Sequence, residues 1–346
     1  MNLIELQYAK YSLHFNSSFQ SSKNAFTKKK IILLKLKTGN GKECFGEVSL
    51  LPEIGTETFE EALENIRQIK KSIVNGTISS TGDIEKYLQK LPNRPALTFG
   101  FEQALFYLNE NKFERKLIEI NAIIGISSIE KMLRQISENY KAGYRIFKLK
   151  IGEKSFEEDL QLLDYLKQKY DRSIKFRLDV NGAWDYEKTK KNIEKLGVYN
   201  IEFIEQPVLN ETELEKLAVE SKIKIVADES VNNFETAKKI ILNSGIKILV
   251  LKPVLIGSVK KTLELIELAK GHNKSIIISS TFESAVGLNM LIHLACSTES
   301  KFAHGLGTFK YLKNNFEDRS ITFNPPGLNL NEPGKNAFVF SNLNWK

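Results

Sequence analysis

The sequence predicts an α/β fold, a (β/α)8-type barrel carrying an N-terminal α+β capping domain. Three observations predict it. The chain has 346 residues, which at about 150 residues per domain is too long for one ordinary domain. From about Leu117 onward, eight short β-rich runs recur, each followed by an amphipathic stretch, the pattern of βα units around a parallel sheet. The first hundred residues have a different texture, a hairpin followed by helices. By this pattern the chain divides into a capping domain over 1–112, a barrel over 113–310 and a tail over 311–346 that packs back on the cap.

Taken in order, residues 31–37 (Ile-Ile-Leu-Leu-Lys-Leu-Lys) read as a strand, and Gly39-Asn40-Gly41 turns it into a second near Cys44–Leu50. Phe59, Leu63, Ile66, Ile69 and Ile73 fall on one face of a helix over 58–74. A second helix is expected over Ala96–Asn109, after the loop marked by Pro92 and Pro95. The eight barrel runs are Ile118–Ile124, Arg145–Ile151, Ile174–Val180, Ile201–Glu205, Ile223–Asp228, Ile246–Leu251, Ser275–Ser280 and Lys301–Leu306. Eight is the number that closes such a barrel. An open doubly wound sheet is the alternative, but no Gly-x-Gly-x-x-Gly follows the first strand. The Ser, Asn and Gln content around Asn16–Thr27 suggests a loop lying as a lid over the barrel mouth.

Composition removes several classes of function. Apolar residues make up 42% and charged residues 27%, which excludes a disordered or fibrous chain. The net charge is +8, yet 42 of the 50 cationic residues are lysines, spread along the chain among glutamates. A nucleic-acid binder would concentrate its charge and favour arginine forks, so that partner is not expected. No run reaches the roughly 18 apolar residues of a membrane span. Two distant cysteines, Cys44 and Cys296, and an N-terminus without a basic start and apolar run fit a cytoplasmic protein. The sequence does not set an oligomeric order and is compatible with a homo-oligomer.

In a barrel of this kind, chemistry sits where the strands end. Strand 2 ends in Lys148-Leu149-Lys150, and residues two apart on a strand share a face. Strand 3 ends in Arg177-Leu178-Asp179-Val180-Asn181, strand 4 in Glu205-Gln206-Pro207, strand 5 in Asp228-Glu229 and strand 6 in Lys252-Pro253. Asp179, Glu205 and Asp228 would therefore converge from three consecutive strands. Three carboxylates together repel one another, and a hard divalent cation resolves the repulsion. Oxygen ligands suit Mg²⁺, with Mn²⁺ a substitute. Alternation turns Glu202 away from Glu205, and Glu229 away from Asp228. Strands 2 and 6 lie opposite one another in a ring of eight, so Lys150 and Lys252 would flank a substrate. Burial, Lys148 and a nearby cation would each lower the pKa of Lys150 toward that of a working base. A lysine base beside a metal suits proton abstraction next to a carboxylate.

These residues resemble the enolase superfamily in its muconate-lactonizing subgroup, and the likeness covers almost the whole chain. Phe45-Gly46-Glu47-Val48 and Leu51-Pro52-Glu53 are similar to the cap segment that faces the active site in that family, with Gly46 and Leu50 as cap-side lining. Ser279-Ser280-Thr281-Phe282-Glu283-Ser284 and His304-Gly305-Leu306-Gly307-Thr308 are most similar to the o-succinylbenzoate synthase branch. Gly307 stands where that branch often has Asp, and the Asp-x-Asp of the dipeptide-epimerase branch is missing. The resemblance implies a dehydration on a small anionic carboxylate. Lys150 would be the base, Lys252 a cationic stabiliser, and Lys148 an aid to Lys150 and a contact to the carboxylate. Asp179, Glu205 and Asp228 would be the metal ligands, and Ser280, Arg177 and Glu283 the substrate contacts. Within the same fold, an epimerase or racemase of dipeptides or N-acyl amino acids would use the same lysine pair.

Overall fold

The computed structural model describes residues 2–20, 25–108, 117–153, 155–313, 315–330, 338–340 and 343–346. Three antiparallel strands open the chain: β1 (Leu3–Gln20), β2 (Ala25–Thr38) and β3 (Glu43–Ser49). The long β1 was not expected. Register shifts between Leu3 and Glu5 and between His14 and Phe19 break the period-2 alternation that would have announced it. Strand occupies both ends of the 16–27 segment read as a lid loop, and its centre, 21–24, lies outside the described residues.

Helices α1 (Phe59–Val74), α2 (Thr81–Gln89) and α3 (Pro95–Leu108) follow. Thr58 and Glu61 form a capping box at α1, and its five predicted apolar positions face inward, Phe59 only partly buried. The short α2, absent from the sequence reading, buries only Ile84 and Leu88; its signal was the capping box of Ser80 with Asp83. A Cβ on Gly46 would fall 1.9 Å from the Gly100 carbonyl oxygen, so this glycine lets β3 and α3 touch. Gly46 and Leu50 therefore serve the packing of the cap, with Leu50 in the core, rather than lining the mouth.

The second unit alternates strand and helix: β4 (Ile118–Glu119), β5 (Ala122–Ile124), α4 (Ile129–Lys141), β6 (Ile146–Lys150), α5 (Phe156–Tyr170), β7 (Lys175–Asp179), α6 (Tyr186–Leu196), β8 (Ile201–Glu205), α7 (Glu211–Glu220), β9 (Ile225–Val226), α8 (Phe234–Asn243), β10 (Ile248–Leu251), α9 (Pro253–Ile256), α10 (Val259–Gly271), β11 (Ser275–Ile278) and α11 (Ala285–Thr298). β5 to β9 form one parallel sheet, and β10 pairs with β11. Single parallel bridges complete the ring: Ala227 to Leu249, Ser279 to Gly305 and Ile120 to His304. The eighth run is thus not a ladder strand, but its backbone closes the barrel through Gly305 N to Ile278 O and Asn121 N to His304 O, at 2.9 and 3.1 Å.

Phe203, Val226, Ile248, Val250, Ile277 and Phe302, drawn from successive strands, form a separate apolar cluster that fills the barrel interior. At the other end of the chain, the backbones of Lys346 and Tyr8 exchange hydrogen bonds, and Phe340 and Trp345 pack on Phe45 of β3.

Candidate active site

Register places the functional side chains at one level. Lys150, Asp179, Glu205 and Val226 are aligned neighbours across β6, β7, β8 and β9. Two residues past the interior residues Phe203 and Val226, on the same face, stand Glu205 and Asp228. The turns that leave these strands use left-handed residues, Gly152 at φ 86°, Asn181 at 48° and Gln206 at 39°. Gln206 spends both ends of its amide on the next strand. Its oxygen accepts from Asp228 N (3.0 Å) and Ser230 N (3.2 Å), and its nitrogen donates to Ser230 Oγ at 2.8 Å. That bracing fixes the backbone of Asp228.

The charges are tightly matched. Lys148 Nζ stands 2.6 Å from Glu205 Oε1 and 2.9 Å from Asp179 Oδ2. Lys252 Nζ is hydrogen-bonded to Asp228 Oδ1. Lys150 Nζ meets Glu153 Oε1 at 2.8 Å. Burial works against the Lys148 ammonium, but Asp179, Glu205 and Asp228 outweigh it and hold the pKa well above the usual lysine range. The same contest, against Asp228 and Glu229, raises Lys252. Burial, with the charges of Asp179 and Asp228, pushes the Glu205 carboxyl far up despite Lys148. Asp228 is buried as well, yet Lys252 and Lys148 keep it below the ordinary carboxylate range. Glu229 is raised by burial and by Asp228, and it accepts from Asn181 Nδ2 at 2.7 Å.

The donor set fits a hard cation. Asp179 Oδ1 is buried with no hydrogen-bond partner, as is Glu229 Oε2, and burial together with the charges of Asp179 and Asp228 raises the Glu205 carboxyl. Lys148 and Lys252 take Asp179 Oδ2, Glu205 Oε1 and Asp228 Oδ1, and among the described residues no three acidic, His or Cys side chains stand in ligand geometry.

Several expected residues lie elsewhere. Lys148 is engaged with the carboxylates one step deeper in the barrel, while Lys150 faces Glu153. Arg177 sits below the mouth, 1% exposed, where it donates to Glu202 Oε2 (2.7 Å), Ala303 O (2.7 Å) and Asn121 Oδ1 (3.3 Å) and stacks on Phe203. It ties β7 to β8, to Asn121 and to the closing segment at Ala303, and lies below the level where a substrate would be met. Its partner Glu202 was expected to face away; the register shift opposite Phe176 and Arg177 resets the alternation and brings it to Arg177. Ser280 donates to Glu283 Oε2 (2.6 Å) and meets Thr308 Oγ1, and Glu283 also accepts from Thr281 N (2.7 Å) and Thr281 Oγ1. Both are consumed by their own turn. Alternation from the interior Ile277 puts Ser279, not Ser280, on the inner face.

Sequence reasoning missed Glu153, Asn181 and Gln206. Each stands within three residues of a predicted site residue, so proximity to the strand end was the available signal.

The family model for the enolase C-terminal domain-like family matches residues 131–326. The chain belongs to that family. Among curated enolase-superfamily relatives, it is 26% identical to an o-succinylbenzoate synthase of Desulfotalea psychrophila, with 91% of this chain and 96% of the relative aligned. It is 28% identical to an L-Ala-D/L-Glu epimerase of Francisella tularensis subsp. novicida over 66% of this chain and 64% of that relative. A solved dipeptide epimerase of Cytophaga hutchinsonii, complexed with Mg and D-Ala-L-Val, shares the fold at TM-score 0.88 and 21% identity, covering 100% of this chain and 99% of that one. No helix among the described residues of this enolase-superfamily chain is long and apolar enough to cross a membrane.

Proposed function

We propose that the chain is an o-succinylbenzoate synthase, dehydrating 2-succinyl-6-hydroxy-2,4-cyclohexadiene-1-carboxylate with the help of Mg²⁺, or of Mn²⁺ as a substitute. The observation that carries this choice is the eighth run and the stretch after it: residues 301–316 contain no Asp or Glu, and the first acidic residues beyond are Glu317 and Asp318. A dipeptide's ammonium would find no carboxylate there, whereas a dianionic cyclohexadiene acid needs none.

The lysine environments support the same reading. Lys252 is held on Asp228, a fixed positive charge on one face. Lys150 pairs with Glu153, whose side chain is 32% exposed, and is the freer of the two. Lys150 takes the proton next to the carboxylate, and its ammonium then protonates the departing hydroxyl from the same face. The C–H and C–O bonds break, water leaves and the ring becomes aromatic. Lys148 holds the buried carboxylates in place. Asp179, Glu205 and Asp228 would hold the divalent cation, which supplies positive charge against the developing enediolate.

The test is incubation with the cyclohexadiene acid, following loss of the diene absorbance. Turnover abolished by EDTA and restored by Mg²⁺ is the expected result. The second reading, a dipeptide epimerase, is favoured by the Francisella and Cytophaga relatives. Rapid deuterium incorporation at a dipeptide stereocentre, with no diene consumed, would establish it in place of the synthase.

A further inference from the structure

Lys29 lies on β2 in the capping sheet and is 4% exposed. Its ammonium has three donors, and three oxygens receive them: Ser49 Oγ at 2.5 Å, Thr281 O at 2.6 Å and Phe282 O at 3.4 Å. Two of the three belong to the turn that follows β11 at the barrel mouth. That turn is strained at one residue: Phe282 has φ 66°, a left-handed conformation that a bulky side chain rarely adopts. Its amide donates to Ser280 Oγ (3.0 Å), and its ring packs edge-on against Phe15 of β1, with centroids 5.1 Å apart. On the far side of the turn, Glu47 of β3 accepts from Ser284 N and Gly287 N, both at 3.0 Å, and caps α11. The turn is therefore gripped from the cap at both ends, by Lys29 at the Thr281 and Phe282 carbonyls and by Glu47 at the helix start.

A buried ammonium is expensive, and fold stability alone is served as well by an apolar residue of similar volume. What Lys29 adds is hold on one backbone conformation. We propose that Lys29 is a positioning residue that fixes, from the capping sheet, the 279–284 turn and with it the seventh-strand wall of the barrel mouth. The inner-face Ser279 begins that turn, so displacing it alters how a substrate is held more than how Lys150 moves a proton. The proposal rests on the barrel mouth being the active site, but not on which reaction runs there.

The experiment compares the full chain with Lys29→Met, Lys29→Arg and the double variant Lys29→Met/Phe282→Gly by hydrogen exchange and steady-state kinetics. In Lys29→Met, exchange at amides 280–284 should rise about tenfold or more, with changes in β6–β8 below about twofold. KM should rise about tenfold while kcat stays within about threefold, the sign of lost ground-state holding. Lys29→Arg should fall between Lys29→Met and the native chain in both readouts. Glycine takes the left-handed conformation without steric cost, so the double variant should recover part of the protection lost in Lys29→Met. An even rise in exchange across the chain, no rise at 280–284, or no recovery in the double variant would overturn the proposal. If Lys29→Met does not fold, Lys29→Arg decides: native exchange at 280–284 rejects the clamp. The exchange arm needs no substrate, so an inactive native chain counts against the synthase and leaves the clamp under test.

Discussion

The two halves of the barrel mouth are built on different principles. On the arc from β6 to β9, ladder register aligns Lys150, Asp179 and Glu205, and charged groups balance one another across strands. On the arc from β11 to residue 305, single bridges replace the ladder, and Ser280 is shared between Glu283 of its own turn and Thr308 of the closing segment. The first arc leaves buried oxygens short of partners, whereas the carboxylate of the second has its hydrogen bonds filled. Unfilled valence on a regular ladder marks the chemical half. Filled valence on an irregular turn marks the half that shapes the opening.

That contrast breaks first at Lys150. Lys150→Ala should cost on the order of 10²–10⁴-fold in kcat, the usual contribution of a positioned general base, while Ser280→Ala should cost far less. Equal losses in the same kinetic assay would erase the distinction between the arcs. The next effect concerns the cation. Calorimetric titration should show Glu205→Gln losing more Mg²⁺ affinity than Asn181→Ala, and loss of an outer partner of that kind is worth about 10–100-fold. Wild-type affinity in Glu205→Gln would remove the metal from this carboxylate set.

Arg177 sharpens the comparison from below. It joins β7 to β8 and to the closing segment at Ala303, so it serves both arcs without touching the mouth. Arg177→Met leaves Glu202 buried without its partner and should cost about 3–5 kcal/mol in urea unfolding, as broken buried pairs do. Arg177→Met/Glu202→Gln should regain much of that. Folded Arg177→Met should keep near-native KM; a large rise would return Arg177 to the substrate contacts.

Legibility in the sequence followed the same division. The spacing from Asp179 to Glu205 to Asp228 was readable because each βα unit brings the chain back to the same level, and the ladder confirms that alignment for Asp179 and Glu205. Glu202 was misplaced because a single register shift turns a face, and nothing local announces the shift. The residues of the irregular arc misled for a related reason. Polar groups at a strand end read alike whether they face a ligand or their own turn, and only the positive φ of Phe282 with its buried lysine tells them apart. β1 escaped notice because bulges broke its alternation, and α2 because two buried residues make too short a stripe. The Lys29 clamp joins residues more than 250 positions apart, a proximity that no local pattern encodes.

The smallest effect probes the seam that closes the ring. His304 is 3% exposed; its Nδ1 accepts from Ile278 N at 3.0 Å, which places the proton of the neutral ring on Nε2, toward Thr298 Oγ1. Burial, helped by the charge of Arg177, pushes this imidazole down to about 3. An unfolded histidine titrates near about 6.5. Above that pH neither state carries the proton and the ring contributes its full stability. As pH falls from there toward 3, the unfolded chain binds a proton that the folded one refuses. Stability then declines by up to about 1.4 kcal/mol per pH unit for this one group. His304→Gln keeps an acceptor for Ile278 N and removes the titration. The difference in urea midpoint between the native chain and His304→Gln should therefore narrow or reverse from pH 7 to pH 5. A difference that stays constant across that window would mean that His304 titrates alike in both states, and that the closing bridge is open enough to admit a charged ring.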